Sequence, residues 1–406
     1  MKRALTILLL FLIPAALLAQ NQWTKKAAVG GFKRSRAVGF AIGNRGYIAC
    51  GEDTADQMMN DMWEYDPGSD TWSQKATFPG FGRRDACGFA IGNKGYICCG
   101  IDASESAFGN NLNDLWEYSP ATNSWTQKSP YPGSSSVGGV YFAGSFVVSG
   151  KGYVVCGKQS NSNYSAGLWE YNPATDQWLQ KQTFPGGTRY SLCAFTIGTK
   201  AYVGLGVDEN ILQTDLWEYN PSSNTWLQKA NFPGSGRFSA STFTLNNKGY
   251  VACGSDGGYK NDLWEYDPVN NVWNVKAPFN GGERRSAVSF VINGAAYIGT
   301  GKGYTGSRRD FWQYQPWVTG EEENIQPVQQ VYPNPAADVI NFSFAQNVND
   351  ATLIIADVTG RVITEKKISN QNSIAINCAD WAKGAYIYQF IATNGNQSNG
   401  RIIVQH

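Results

Sequence analysis

Histidine is nearly absent from this chain: the only one is His406, the final residue. No interior position can therefore supply the imidazole of a Ser-His-Asp or Cys-His nucleophile, and histidine-ligated zinc is excluded on the same ground. An excess of either charge is also lacking. Lysine and arginine number 33 against 32 aspartate and glutamate, and removing Lys2 and Arg3 leaves 31 against 32. No global field would then draw in nucleic acid or an anionic membrane. Long apolar runs are missing everywhere but the N-terminus, where Lys2-Arg3 precedes Ala4 to Leu18 and the segment ends Ala15-Ala16-Leu17-Leu18-Ala19. That plan predicts a secretory signal peptide over residues 1–19, cleaved after Ala19. No cysteine near the cut suggests lipoprotein processing, and no later run approaches the ~20 apolar residues of a membrane helix. A soluble mature chain with no membrane span is expected. There is no Asp-x-Asp-x-Asp-Gly calcium loop and no phosphate-cradling glycine motif before a helix, so no metal and no cofactor is called for.

What the chain does have is 45 glycines, 14 tryptophans and 21 tyrosines, with 16% charged residues. Such a composition favours many short aromatic-rich strands joined by tight turns, an all-β class. The segment Trp-Glu-Tyr-x-Pro recurs at Trp63, Trp116, Trp169, Trp217 and Trp264, with a variant at Trp312. Successive tryptophans are 53, 53, 48, 47 and 48 residues apart, a period suited to a four-stranded propeller blade. Within a unit, the strands read Cys87–Ile91, Tyr96–Gly100, Asp114–Tyr118 and Trp125–Lys128. Trp and Tyr at i and i+2 then share one strand face. Of the eight cysteines, Cys50, Cys99, Cys156 and Cys253 occupy one place in different repeats, as do Cys87 and Cys193. Equivalent sites on separate blades lie far apart, so these read as compact buried side chains and not as disulfides. Cys98 and Cys378 carry no assignment.

These units resemble the kelch family, with its apolar strand ending near a glycine pair, its Tyr-Asp-Pro turn and a Trp a fixed distance beyond. The resemblance covers Trp23 to about Trp317, and departs where the paired glycines become Cys-Gly, Leu205-Gly206 or Thr300-Gly301. Outer-strand tryptophans fall at 23, 72, 125, 178, 226 and 273 while third-strand tryptophans run from 63 to 312, an offset of one at each end. The expectation is a six-bladed kelch-type β-propeller over residues 20–317, closed by the N-terminal strand, with no long exposed sheet edge. The histidine-bearing copper site of galactose oxidase, whose propeller repeats these resemble, has no counterpart here.

After Trp317 an acidic, irregular stretch reads as a linker, 318–330, and a further domain, 331–406, as a small C-terminal β-sandwich. Tyr332-Pro-Asn-Pro335, the Asp357 to Gly360 turn and Gly384-Ala-Tyr386 resemble the type A sorting domain of the type IX secretion system. The resemblance implies that this tail engages the type IX secretion machinery of a Bacteroidetes-type bacterium, and that the chain crosses the periplasm to be secreted or attached to the outer surface.

One repeated set points to binding. Nine residues before each strand-one turn stand Arg34, Arg83, Arg189, Arg237 and Arg284, with Val140 in the odd unit. They share a face with the loops in which the units differ most, and varied loops on a rigid scaffold are where binding surfaces are built. Guanidinium groups there suit an acidic sugar, and Tyr164, Tyr259 and Tyr304 in those loops suit stacking on sugar rings. The competing reading has the arginines satisfying loop carbonyls between blades with their five donors. Glu64, Glu117, Glu170, Glu218 and Glu265, being repeat-equivalent, read as scaffold and not as catalytic carboxylates. The leading expectation is a noncatalytic module that binds a glycan or protein partner on its loop face. The alternative is an enzyme acting on an acidic sugar, similar to N-acetylneuraminate epimerase; a third reading is a surface coat with no small-molecule site.

Overall fold

In a computed structural model the described residues are 22–103, 111–133, 138–159, 163–316, 328–348, 350–392 and 397–406. The signal-peptide segment and most of the linker lie outside them. The chain divides into two compact units, Met1–Trp317 and Val318–His406, and every regular element among the described residues is a β-strand.

The first unit contains six four-stranded antiparallel sheets among its described residues. Sheet 1 runs in strand order Val38–Ile42, Arg45–Ala49, Met62–Asp66 and Thr71–Gln74. Sheets 2 to 5 repeat this plan, beginning at Cys87–Ile91, Gly144–Val148, Cys193–Ile197 and Ser241–Leu245. Sheet 6 takes three strands from Val288–Ile292, Ala295–Gly299 and Phe311–Gln315, and its fourth from the other end of the chain. Gln22–Lys26 pairs there with Phe311–Gln315, setting Trp23 opposite Tyr314. The innermost strands pack in a cycle: sheet 1 touches 2 and 6, 3 touches 2 and 4, and 5 touches 4 and 6.

Local chemistry explains why each repeat folds alike. Along an inner strand such as Val38–Ile42 burial alternates, as the two-residue pleat requires. Phe40 stacks on Tyr47, Phe89 on Tyr96 and Phe146 on Tyr153, so the intersheet layers are built from aromatic rings. The Trp-Glu-Tyr glutamates take the tyrosine hydroxyls: Tyr47 donates to Glu64 at 2.5 Å and Tyr96 to Glu117 at 2.6 Å. Lysines of the outer strand pair with several of them, Lys75 with Glu64 and Lys276 with Glu265, both at 2.9 Å. These carboxylates are scaffold. Neighbouring sheets are stitched at their outer turns, where Asp70, Asn123, Asp176, Asn224 and Asn271 sit at φ near +50°, a region Asp and Asn tolerate better than most. Each accepts both from a tyrosine of its own sheet and from a backbone N–H just past the outer strand of the adjoining one, as Asp70 does from Tyr65 and Ala27.

The glycine-pair position has its own geometry. Cys50, Cys99, Cys156, Leu205, Cys253 and Thr300 all adopt φ between 55° and 65°, followed by glycines between 81° and 103°. All eight cysteines are free and buried. Burial pushes the Cys50 and Cys253 thiols up to about 12, so they remain protonated and inert.

The second unit has a three-stranded sheet, Val328–Tyr332, Val339–Val348 and Gln371–Asn377. A four-stranded sheet adds Val362–Ile368, Ala351–Asp357, Gly384–Ala392 and Gln397–Val404. Both contribute to one core that includes Ile340, Phe342, Leu353, Phe390 and Cys378.

Candidate functional site at the mouth of the ring

The repeated arginines do not face a ligand. Arg34, Arg83, Arg189, Arg237 and Arg284 are at most 1% exposed, and each grips an aspartate of its own sheet through both terminal nitrogens: Asp61, Asp114, Asp215, Asp262 and Asp310. Nη1 also donates to the carbonyl of Cys50, Cys99, Leu205, Cys253 or Thr300. The same aspartates accept the indole N–H of Trp63, Trp116, Trp217, Trp264 and Trp312. Four of the guanidiniums also lie over a phenylalanine ring, Arg83 over Phe78 at 4.6 Å. Burial works against charge on Arg83, yet Asp114 outweighs it and holds the group above its ordinary range. Burial likewise raises Asp61 and Asp310, but Arg34 and Arg284 bring both below the usual carboxylate range. The expectation of an arginine ring offered to a sugar acid is therefore corrected. With its terminal nitrogens held bidentately by an aspartate, each buried guanidinium presents no exposed donor to a ligand.

The odd unit carried a signal that could have revealed this. Where Val140 replaces the arginine, Gly167 replaces the aspartate two residues before its Trp169. Arginine and aspartate are lost together, as partners are.

A second ring, lining a cavity, lies two residues further on. Arg36, Asp85, Phe142, Ser191, Ser239 and Ser286 all have φ between 51° and 57°. Their backbones form a closed circle of hydrogen bonds: Arg36 N–H donates to Ser286, Asp85 to Arg36, Phe142 to Asp85, Ser191 to Phe142, Ser239 to Ser191 and Ser286 to Ser239, at 2.8–3.1 Å. These six residues and the alanines and leucine that follow them line a cavity of about 140 Å³. Below it the inner strands line a wider space with Gly39, Gly88, Ser145, Ala194 and Thr242. The sixfold pattern is strict in backbone and loose in side chain.

On one side of this mouth two acids and two arginines interlock. Glu52 accepts from Arg36 at 3.2 Å and Arg84 at 2.5 Å, and Asp85 lies 3.4 Å from Arg36. Glu52 and Asp85 are only 2% and 4% exposed. Burial raises the Asp85 carboxyl to about 7, against the lowering pull of Arg36 and Arg84, so it carries or releases a proton near neutrality. Elsewhere on the rim, Lys158 lies 4.2 Å from the ring centre of Tyr190 and 5.3 Å from that of Tyr164, and these two rings stack at 5.3 Å. Burial lowers the Lys158 ammonium. Arg285 sits over Phe238 at 5.2 Å and Tyr259 at 5.6 Å, and Tyr259 meets the 70% exposed Tyr304 edge-on at 4.7 Å. Thus Tyr164 lies against Lys158, Tyr259 against Arg285 and Tyr304 against Tyr259, whereas the five arginines are buried in their sheets. Arg36, Glu52, Arg84, Asp85, Lys158 and Arg285 escaped the sequence reading because they occupy repeat positions where the residue type changes from unit to unit.

Among the described residues no cluster of His, Cys, Asp and Glu is arranged to hold a metal, and no helix is long and apolar enough to cross a membrane.

The fold has known counterparts. A family described as the KLHDC2/KLHL20/DRC7 Kelch-repeats domain matches residues 133–301, and one described as the Secretion system C-terminal sorting domain matches 330–405. A solved structure titled "Structure of YjhT" superposes with a TM-score of 0.63 at 18% identity, covering 72% of this chain and 98% of that one. No curated protein matches the sequence. The first unit is all-β and propeller-like, of kelch type. The chain thus carries a match to a kelch-repeat domain over 133–301 and a type IX C-terminal sorting domain over 330–405, and the latter implies export with secretion or cell-surface attachment.

Proposed function

We propose that residues 20–317 form a six-bladed propeller, closed by the N-terminal strand, that acts outside the cell as a noncatalytic binding module for an acidic glycan at its loop-face mouth. The pairing of Gln22–Lys26 in sheet 6 and the closed circle of backbone hydrogen bonds support the six-bladed count. A signal peptide over residues 1–19, a linker over 318–330 and a type A sorting tail over 331–406 complete the proposed route through the periplasm of a Bacteroidetes-type bacterium.

The observation that carries the binding assignment is the rim's charge. Arg36, Arg84, Lys158 and Arg285 gather around Glu52 and Asp85, while Lys158 and Arg285 rest on aromatic rings and have no ion pair among the described residues. Unneutralised cations beside aromatic surface suit an anionic sugar, whose acid group meets the charge and whose C–H face meets the ring. The test is a glycan array probed with the mature chain at low and high salt. Acidic glycans should be retained and released by salt, with no retention of neutral ones. Retention of neutral glycans alone, or of none, removes this reading and leaves a protein partner or a coat role.

The second reading, an enzyme on an acidic sugar resembling N-acetylneuraminate epimerase, is favoured by one observation: the Asp85 carboxyl held at about 7, the range for proton transfer at neutral pH. Proton NMR of anomeric exchange and epimerisation, with native chain and Asp85→Asn, separates the two.

A further inference from the structure

We propose that the mouth takes an acidic oligosaccharide laid across it, held at two opposed cationic stations: Lys158 on Tyr164 and Tyr190, and Arg285 on Phe238 and Tyr259. The inference rests on the reading of the mouth as an acidic-glycan site and adds to it a chain length and a valency.

Three observations lead there. First, these two cations differ from their neighbours. Arg36 and Arg84 are engaged by Glu52 and Asp85, and the repeated arginines by their aspartates. Lys158 and Arg285 have no ion pair among the described residues; their charges rest on aromatic rings, with Asp85 the carboxylate within electrostatic reach. A ring face holds a cation in place without neutralising it, so full charge and free N–H donors stay available to an anion.

Second, the two stations are opposed. Lys158 belongs to the loop of sheet 3, bridged to Tyr141, and Arg285 stands at the start of sheet 6, so three steps separate them either way round the cycle of packed inner strands. Successive members of the mouth circle are joined by one backbone hydrogen bond, which sets their Cα atoms about 5 Å apart, so opposite members of the six lie about 10 Å apart, wider than one sugar ring. A single acidic monosaccharide can therefore engage one station but not both.

Third, the ground between them is polar and shared. Ser191, Ser239, Ser286 and Asp85 line the intervening cavity, and Asp85 lies within electrostatic reach of both Lys158 and Arg285. Exposed Tyr304, against Tyr259, extends the second station outward with an aromatic surface. An oligosaccharide crossing the mouth would place hydroxyls over the serines and an acid group at each end. The shared ligand chemistry is an oligosaccharide bearing repeated acid groups, carboxylate or sulfate.

The test is titration calorimetry of the mature full chain with galacturonic acid, tri- and hexagalacturonate, a sulfated hexasaccharide, a neutral hexasaccharide and single-stranded DNA of matching charge. Two tethered contacts raise affinity well beyond either alone, so the hexamer should bind at least about 10-fold more tightly than the monosaccharide. Lys158→Gln and Arg285→Gln should each weaken the hexamer about 10-fold and bring it towards the monosaccharide value, with melting temperature unchanged. The carboxylated and sulfated arms identify the acid group. Affinity independent of length, or loss on substituting only one cation, overturns the two-station arrangement while leaving an acidic-sugar site intact. Equal binding of DNA overturns it in favour of a general polyanion surface, and binding of no acidic sugar removes the underlying reading as well. The length series needs no variant, so it stands even if a substitution misfolds.

Discussion

Replacing Asp114 with alanine should destabilise the first unit by about 3 kcal/mol, the lower part of the range for stripping one partner from a buried ion pair. Arg83 is fully buried and bound to Asp114 at 2.5 and 2.8 Å and to the Cys99 carbonyl at 2.9 Å. Without Asp114 the guanidinium keeps its carbonyl but loses both charge-assisted bonds, and Trp116 loses its 2.8 Å acceptor. Asp114 is 21% exposed, so water entering its place softens the loss. Removing both charges, as in Arg83→Met with Asp114→Leu, should cost less than Asp114→Ala alone, because no buried charge is then left uncompensated. Urea unfolding followed by tryptophan fluorescence measures all three chains. A loss below about 1 kcal/mol for Asp114→Ala, the value of an exposed pair, would refute the claim that these arginines are buried scaffold.

Five further outcomes follow from the same geometry. Val140→Arg should destabilise the unit by burying an unpaired charge, and adding Gly167→Asp should recover part of the loss in the same unfolding assay; no recovery would contradict the pairing inferred from their joint absence. Asp61 and Asp310, held below their ordinary range, add stability that is complete above the unfolded carboxylate pKa of about 4 and lost as pH falls through their lower folded values. Asp85 acts with the opposite sign: raised to about 7, it should make stability fall as pH climbs from about 4 towards 7, a slope that Asp85→Asn should abolish. Trp23→Ala removes a buried ring that contacts Phe279 and Tyr314 at 4.7 and 4.8 Å, and should cost about 3–5 kcal/mol; a smaller cost would mean that the N-terminal strand contributes little to sheet 6. Thiol titration should find almost none of the eight cysteines reactive in the native chain and all eight on denaturation, since all are free and buried.

The repeat was legible because its residues recur for local reasons. Trp, Glu and Tyr mark the third strand, Asp or Asn marks the outer turn, and the offset between the two tryptophan series pointed to the N-terminal strand as partner of the last repeat's third strand, where Trp23 lies opposite Tyr314. The small C-terminal unit was equally visible in its alternating strands and end motifs. The direction of the arginines was not read, because a repeated charge looks the same whether it lines a channel or is locked in a blade. What settles it is the aspartate two residues before five of the six third-strand tryptophans, as far as 31 residues away from its arginine. The mouth was illegible for the opposite reason: Arg36, Asp85, Phe142, Ser191, Ser239 and Ser286 share a left-handed backbone and a circle of hydrogen bonds, but no side-chain chemistry. Repetition in the sequence marks the scaffold, and the proposed site lies where repetition stops.

The most direct test of the loop-face assignment is a crystal structure of the mature chain with a bound hexagalacturonate. The account predicts sugar density over the ring of Arg36, Asp85 and the three serines, with acid groups at Lys158 and Arg285. Density confined to the opposite face or to the outer strands, with the mouth unoccupied, would contradict it.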